Sequence, residues 1–466
     1  MNGALIFVIL YLGLTVAVSL ITSKKETNAG TFHGANLGIL MCVAAGAGEW
    51  MGGTSTTGVS EYGYIAGISG AWYTIANGIG IMFCAIFFAK LYRSLNTPTV
   101  SGIVGHYIGR KARAVSAVLL ILVMLVVGVS QMVAIGSLGK VLFGIDITLS
   151  IFIFGMIVML YTLMGGMVSV GSTNTMHLLV MYTGVIAAVI VSLRQLGGVS
   201  VMRQELPQTY FSFGAIGGSK ISSWIIASVL GACTAQAGIQ PILAAKDEKV
   251  AVKSSVLIAL VVAPFGILTA LLGMAARIWF PDLESAKLAL PTMMQNLPFP
   301  IEALVTAAMT AAILSTAAPI LLSCGTLFTR DIYLLIHPDL EPEKELKVSR
   351  RATACAGIIC TVFAAVLFHF AAVLDIVYFA YSLRGSLFVV LLFGIFSKKK
   401  KPGEKATIAA MIVTAATGFF WVFYKVLTGS YPLAPWFSDT YASVCAAVIS
   451  MTIVMLFTKP EDQKIY

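Results

Sequence analysis

Apolar residues in this chain recur in runs of about twenty, separated by short stretches rich in charge, proline or glycine. A helix needs about 20 apolar residues to cross the hydrocarbon core, where each backbone polar group must be satisfied within the segment. Segmenting on that length predicts an all-α integral membrane protein with thirteen spans. They lie near residues 3–22, 36–60, 66–92, 113–142, 147–166, 174–193, 221–241, 252–279, 299–329, 348–370, 372–396, 404–426 and 438–457.

Composition agrees with that pattern. Of 466 residues, 58% are hydrophobic and 11% charged, whereas a soluble chain carries about a quarter charged residues to cover its surface. The net charge of +10 would mark a nucleic-acid partner only if a basic soluble face existed, and the apolar runs leave none. The basic residues follow the membrane rule that favours them in cytoplasmic loops. With the N-terminus outside and the C-terminus cytoplasmic, 22 of the 30 lie on the cytoplasmic side: Lys24, Lys25, Lys90, Arg93, Arg110, Lys111, Arg113, Lys246, Lys249, Lys253, Arg330, Lys344, Lys347, Arg350, Arg351, Lys398 to Lys401, Lys405, Lys459 and Lys464. Seven of the others lie on the outer side, and Arg384 lies mid-way along a span. The positive charges follow the first apolar run, so that run reads as an anchor and not as a cleaved signal.

The seven cysteines sit in apolar segments without metal-ligand spacing and read as small buried hydrophobes. The longest connections, about 195–220 and 330–348, are too short for a soluble domain. HPDLEPEKELKVSRR, whose charges nearly cancel, reads as a solvated loop.

Two spans contain residues that a plain membrane helix does not need. AAGAGEWMGGTSTTG (Ala44 to Gly58) clusters glycines and carries Glu49 and Trp50, and GACTAQAGIQP (Gly231 to Pro241) sets Thr234, Gln236 and Gln240 between glycine and proline. Glycine weakens a helix by about 1 kcal/mol and proline by about 3. Broken helices are tolerated in a bilayer where the freed backbone lines a protein-buried or watery cavity. The alternative is close packing through small residues; an ionisable group at membrane depth favours a binding site. The breaks open the second and seventh spans, which suggests a five-plus-five inverted repeat over spans 2 to 6 and 7 to 11. The chain then reads as one transporter domain over 1–466: helix 1 at 3–22, repeat one about 36–193, repeat two about 221–396 and two peripheral helices over 404–457.

Several segments resemble the sodium:solute symporter family, which includes proline, pantothenate, sugar and choline carriers on a leucine-transporter-like fold. They are YTLMGGMVSVGSTNTMHLLVM (Tyr161 to Met181), LAAKDEK (Leu243 to Lys249) and, most diagnostically, AAILSTAAPILLSCGTLFTRDIY (Ala311 to Tyr333). WMGGTSTTGVSEYGY (Trp50 to Tyr64) is similar to the choline-carrier branch. The resemblance implies sodium-coupled symport, with sodium held by hydroxyls at Ser315 and Thr316 and by main-chain carbonyls at Ala312, Cys42 and Ala45. Adjacent Ser and Thr in a membrane helix also commonly bond back to the preceding turn. The chain departs from the family pattern at Asn174, where Asp is usual, at His177, where Gln is usual, and at Ala44, Gln240 and Pro241. Proton coupling through Glu49 or His177 therefore stands beside sodium coupling, as does an uncoupled carrier.

Glu49, Trp50, Gln236 and Arg384 are the candidate solute ligands. A carboxylate beside an indole suits a small organic cation, a guanidinium suits a carboxylate, and the two charges could instead pair as a gate. No cofactor is expected beyond sodium as coupling ion. The expected partners are a small solute, sodium and lipid, with a monomer or loose homodimer. An enzyme lacks its motifs here, a channel would show a selectivity ring in place of paired breaks, and a sensor would need a signalling domain after Lys459. An N-terminal epitope is expected to be labelled on intact cells and a C-terminal one only after permeabilisation; labelling of both from one side would overturn the odd span count.

Overall fold

Apolar runs of this length leave the backbone no partner but itself, and the described residues form helices joined by turns, with one isolated bridge between Leu37 and Ala245. The structure is a computed structural model that describes residues 3–23, 36–164, 167–368, 373–397 and 401–458. The principal helices are α1 (Gly3–Ser23), α2 (Ile39–Trp50), α3 (Val59–Ala66), α4 (Trp72–Phe87), α5 (Val100–Tyr107), α6 (Arg110–Phe143), α7 (Ile147–Met164) and α8 (Met167–Gln195). They continue with α9 (Gly218–Ala232), α10 (Gln236–Leu243), α11 (Glu248–Trp279), α12 (Phe299–Phe328), α13 (Pro342–Leu367), α14 (Val373–Phe396), α15 (Glu404–Thr428) and α16 (Asp439–Phe457). Among the described residues, ten helical segments are long and apolar enough to cross a membrane, and three shorter apolar helices accompany them.

The centre of the molecule is α12, which is buried along nearly its whole length and packs against α8, α6, α13, α2 and α1. Around it, α11 packs on α4, α3 and α2, while α9 lies between α4 and α14. The outermost pair, α15 and α16, pack on each other and on α14, and present Phe423, Val426, Leu427, Leu456 and Phe457 outward. Large side chains exposed in this way are stable only where the solvent is itself apolar.

Two expectations need correction. The stretch expected as a solvated loop at 330–348 is largely helical: a π turn over Thr329–Tyr333 extends α12, and α13 begins at Pro342. Proline suits the first helical position, where its missing N–H costs nothing. Glu343 then pairs with Lys347 one turn on, at 2.7 Å, and Glu345 is buried against Arg330 at 2.8 Å. Of the seven cysteines, Cys355 and Cys445 are exposed, because their helices lie at the periphery. Lys24, Lys25, Lys398 to Lys400, Lys459, Lys464 and the glycine pair Gly165 and Gly166 fall outside the described residues.

Glycine sets a close helix crossing. A Cβ on Gly63 would lie 2.4 Å from the Ala270 carbonyl oxygen, and one on Gly273 would lie 2.2 Å from that of Ser60, so α3 and α11 meet backbone to backbone. Gly63→Ala and Gly273→Ala are each expected to cost about 1–3 kcal/mol through overpacking. Gly13→Ala, whose Cβ meets nothing within 4 Å, should be neutral. Equal melting temperatures for all three in detergent would remove this crossing as a stability determinant.

Candidate functional site

The first break lies between α2 and α3. The helix stops at Trp50, Met51 turns away at φ −107° and ψ 40°, and winding resumes as a π turn over Thr54–Gly58. Its freed backbone is capped by Gln131, the single amide in the apolar run of α6. Gln131 Oε1 accepts from the Gly53 N–H at 2.8 Å, and its Nε2 donates to Thr54 Oγ1 at 2.9 Å. An isolated glutamine amid Val, Met and Ala was the available sequence signal for this role, and motif reading passed over it.

Facing this break, α12 presents Ser315 and Thr316, both buried. Ser315 Oγ lies 3.0 Å from the Gly48 carbonyl oxygen and 2.9 Å from that of Ala312. Thr316 Oγ1 lies 2.7 Å from the same Gly48 oxygen and 2.9 Å from that of Glu49. Each hydroxyl has one proton to donate but approaches two acceptors. The cluster is therefore richer in oxygen lone pairs than in hydrogens, a donor set suited to a hard cation. Glycine is required for the approach: a Cβ on Gly48 would lie 2.6 Å from Asn174 Nδ2, and one on Gly52 would lie 2.2 Å from Thr316 Oγ1.

Asn174 has a structural reason to be an amide. Pro319 lacks the N–H that would bond the Ser315 carbonyl one turn back, and Asn174 Nδ2 donates to that oxygen at 3.1 Å. His177, one turn further along α8, is buried with Nδ1 against the Tyr11 hydroxyl. Ala312 contributes its carbonyl to the oxygen cluster, while Cys42 lies six residues before Gly48 in continuous helix, about 9 Å short of it along the axis. Ala45 lies three residues before Gly48 in continuous helix, about 4.5 Å short of it along the axis. The carbonyls that meet the hydroxyls are those next to the break.

The second break separates α9 from α10 at Cys233 to Ala235. Tyr92 donates its hydroxyl to the Cys233 carbonyl at 3.0 Å, and Thr234 Oγ1 donates to the Arg384 carbonyl at 2.7 Å. Gln236 is used structurally: its Oε1 accepts from the Val100 N–H at 2.8 Å and its Nε2 donates to the Pro98 carbonyl at 3.3 Å. That engagement fastens the break to the start of α5 and leaves Gln236 little capacity for a solute.

Glu49, Trp50 and Arg384 come together where the two breaks meet. A Cβ on Gly238 of α10 would lie 2.6 Å from Trp50 Nε1 and 2.9 Å from Glu49 Oε2. The Arg384 guanidinium lies 3.8 Å from the centre of the Tyr381 ring and 5.4 Å from that of Trp50. Tyr381 shares a 3.0 Å hydroxyl contact with Tyr73. Beyond them, Trp224 stacks on Tyr378 at 4.4 Å, and Tyr62 meets Trp224 edge-on under Lys220. These aromatics come from α3, α4, α9 and α14, so no local motif announced them.

A profile of the sodium:solute symporter family matches residues 32–414. The chain belongs to the sodium:solute symporter family. This symporter-family chain is 26% identical to the high affinity choline transporter 1 of Homo sapiens over 381 residues, covering 76% of itself and 65% of that protein's length. It is 25% identical to the osmoregulated proline transporter OpuE of Bacillus subtilis, over 92% of itself and 90% of the relative. A solved Na+-coupled sialic acid symporter, in a substrate-bound outward-open state, shares the fold at a TM-score of 0.80 and 19% identity, covering 97% of each chain.

The chain also carries a polar centre that motif reading missed. Asp331, fully buried just after α12, accepts from Thr99 Oγ1 at 3.1 Å, Ser101 Oγ at 2.6 Å and Arg113 Nε at 2.6 Å. Thr99 and Ser101 bracket the same Val100 whose N–H Gln236 receives, so this carboxylate ties the end of α12 to the second break. Asp331→Ala, which strands Arg113, is expected to cost about 3 kcal/mol, and Asp331→Asn clearly less because two hydroxyl contacts survive. Equal unfolding midpoints for the two variants would show that the charge plays no part.

Proposed function

We propose that this protein is a sodium-coupled symporter that moves a small organic solute across a cell membrane by alternating access, and that it is not an enzyme. The observation that carries the reading is the oxygen cluster of Gly48, Glu49, Ala312, Ser315 and Thr316. Sodium is the co-transported substrate, and its preference for oxygen ligands matches three carbonyls and two hydroxyls that hold only two protons among them. Its seat joins the first broken helix to α12. Family membership and the named activities of the choline and proline relatives support the same class.

Glu49 links ion to solute. Its main-chain oxygen belongs to the sodium cluster, while its carboxylate faces Trp50 and Gly238 at the meeting point of the two breaks. Sodium that orders this turn therefore orders the solute's ligands, and the coupling is reciprocal by thermodynamic necessity. The solute site assigned here consists of Glu49, Trp50 and Arg384, with Tyr73 and Tyr381 added. Gln236 acts as the anchor that carries movement of the second break to α5.

The finer architecture belongs to the same reading: thirteen spans, a five-plus-five repeat whose first helices are α2–α3 and α9–α10, and peripheral α15 and α16. The N-terminus lies outside, the C-terminus is cytoplasmic, and the protein works as a monomer or loose homodimer. Proton coupling through His177 has weaker support, since its Nδ1 is engaged by Tyr11 away from the cluster. Ser315→Ala combined with Thr316→Ala is expected to abolish sodium-stimulated uptake in proteoliposomes, and the thermal stabilisation by sodium that binding to the folded state confers, while leaving membrane insertion intact. Unchanged sodium dependence in that variant would remove the assignment.

A further inference from the structure

The oxygen cluster at the first break exists because the Glu49 carbonyl has left the helical ladder. In a continuous α-helix each carbonyl accepts from the N–H four residues further on, so the natural donor to the Glu49 oxygen is the Gly53 N–H. That N–H is taken by Gln131 Oε1 at 2.8 Å. The Glu49 carbonyl faces Thr316 Oγ1 instead, at 2.9 Å. One hydrogen bond from α6 thus stands in place of the bond that would close the helix over the cluster.

Gln131 is fully buried in the run VVGVSQMVAIG (Val126 to Gly136) and is held at its other end as well. Its Nε2 donates to Thr54 Oγ1 at 2.9 Å and to Ser130 Oγ at 3.2 Å, which fixes the amide with its oxygen toward Gly53. The same side chain lies against the cluster. A Cβ on Gly52 would stand 2.7 Å from Gln131 Oε1 and 2.2 Å from Thr316 Oγ1, so α6 and α12 converge on that residue. They converge again at Gly53, where a Cβ would stand 2.4 Å from Ala134 Cβ and 3.2 Å from Ile313 Cγ1.

We infer that Gln131 is a positioning residue for the coupling ion: by holding the Gly53 N–H it keeps the Glu49 carbonyl out of the ladder, and through that carbonyl it sets the affinity for sodium. The inference rests on the sodium-seat reading above and adds to it a residue from a third helix. Without an acceptor at position 131, the buried Gly53 N–H has the Glu49 carbonyl as the partner that helical geometry offers. The helix then winds on by one bond, and the seat loses an oxygen. A carboxylate at 131 keeps the acceptor and strengthens the bond, while the Thr54 hydroxyl is able to turn and donate to its second oxygen.

The test uses the full purified chain in lipid nanodiscs, with sodium chloride exchanged for potassium chloride at constant ionic strength. Thermal shift gives the sodium midpoint, and the melting temperature in potassium alone reports stability. Gln131→Met, similar in length but without the acceptor, is expected to raise the sodium midpoint about five- to tenfold, the scale of one hydrogen bond. Gln131→Glu is expected to bring it back to the wild-type value or below. In the wild-type chain, sodium and not potassium is expected to slow hydrogen exchange over residues 51–56, because ion and amide hold the same turn; this measurement decides the matter if a variant does not fold. A Gln131→Met chain with the wild-type sodium midpoint, whatever its melting temperature, overturns the inference and leaves the sodium seat standing. So does a midpoint raised equally in Gln131→Glu, or exchange over 51–56 that ignores sodium in a chain that sodium stabilises. A wild-type chain with no sodium-specific shift loses the seat itself, and the role of Gln131 with it.

Discussion

A helix interrupted away from water strands its own N–H and C=O groups, and the placement of those groups organises this molecule. At the first break, Gln131 takes the Gly53 N–H while the carbonyls of Gly48 and Glu49 turn to the hydroxyls of Ser315 and Thr316. At the second, Tyr92 donates its hydroxyl to the Cys233 carbonyl and Gln236 secures the start of α5. The stranded backbone thus becomes the adhesive between helices and, at Gly48 and Glu49, one side of an oxygen-rich cluster with Ser315 and Thr316. Regular helices could supply neither, because their carbonyls are engaged in their own ladders.

The second constraint is how closely the helices must approach for these contacts to form. Gly48 and Gly52 admit Asn174 and Thr316 to the first break, and Gly238 admits Trp50 and Glu49 to the second. These glycines also weaken the helices that contain them. One residue type therefore both opens the helix and clears the space into which its partners fit. Pro319 works in the same way on α12: it frees the Ser315 carbonyl, and Asn174 from α8 takes it up.

The buried charges divide into two kinds. Asp331 with Arg113, Thr99 and Ser101 is a completed network, and it connects the end of α12 to the strip that Gln236 holds. Glu49 Oε2 and Arg384 Nε and Nη2 have no hydrogen-bond partner among the described residues, and both side chains lie among aromatics.

Much of this was legible before any coordinates. Length and spacing of the apolar runs determined a helical membrane protein, since only a helix of about twenty residues satisfies its own backbone in lipid. Glycine, proline and polar residues inside two of those runs located the breaks, and the AAILST segment contains the two hydroxyls, Ser315 and Thr316, that meet the backbone of the first break. The carbonyls that meet the hydroxyls are those of Gly48 and Glu49, which the residues alone did not single out, because which oxygens face a hydroxyl depends on where the helix ends and how it is rotated, and both follow from packing against α8 and α12. Gln236 became an anchor, and Tyr73, Tyr381, Gln131 and Asp331 joined the functional regions, through contacts between residues far apart in the chain. The sequence by itself determined the elements and their interruptions, which are local properties of hydrogen bonding in an apolar solvent. Only the tertiary structure decided which stranded atoms meet, because that depends on helix rotation and distance, and neither is set by any one segment alone.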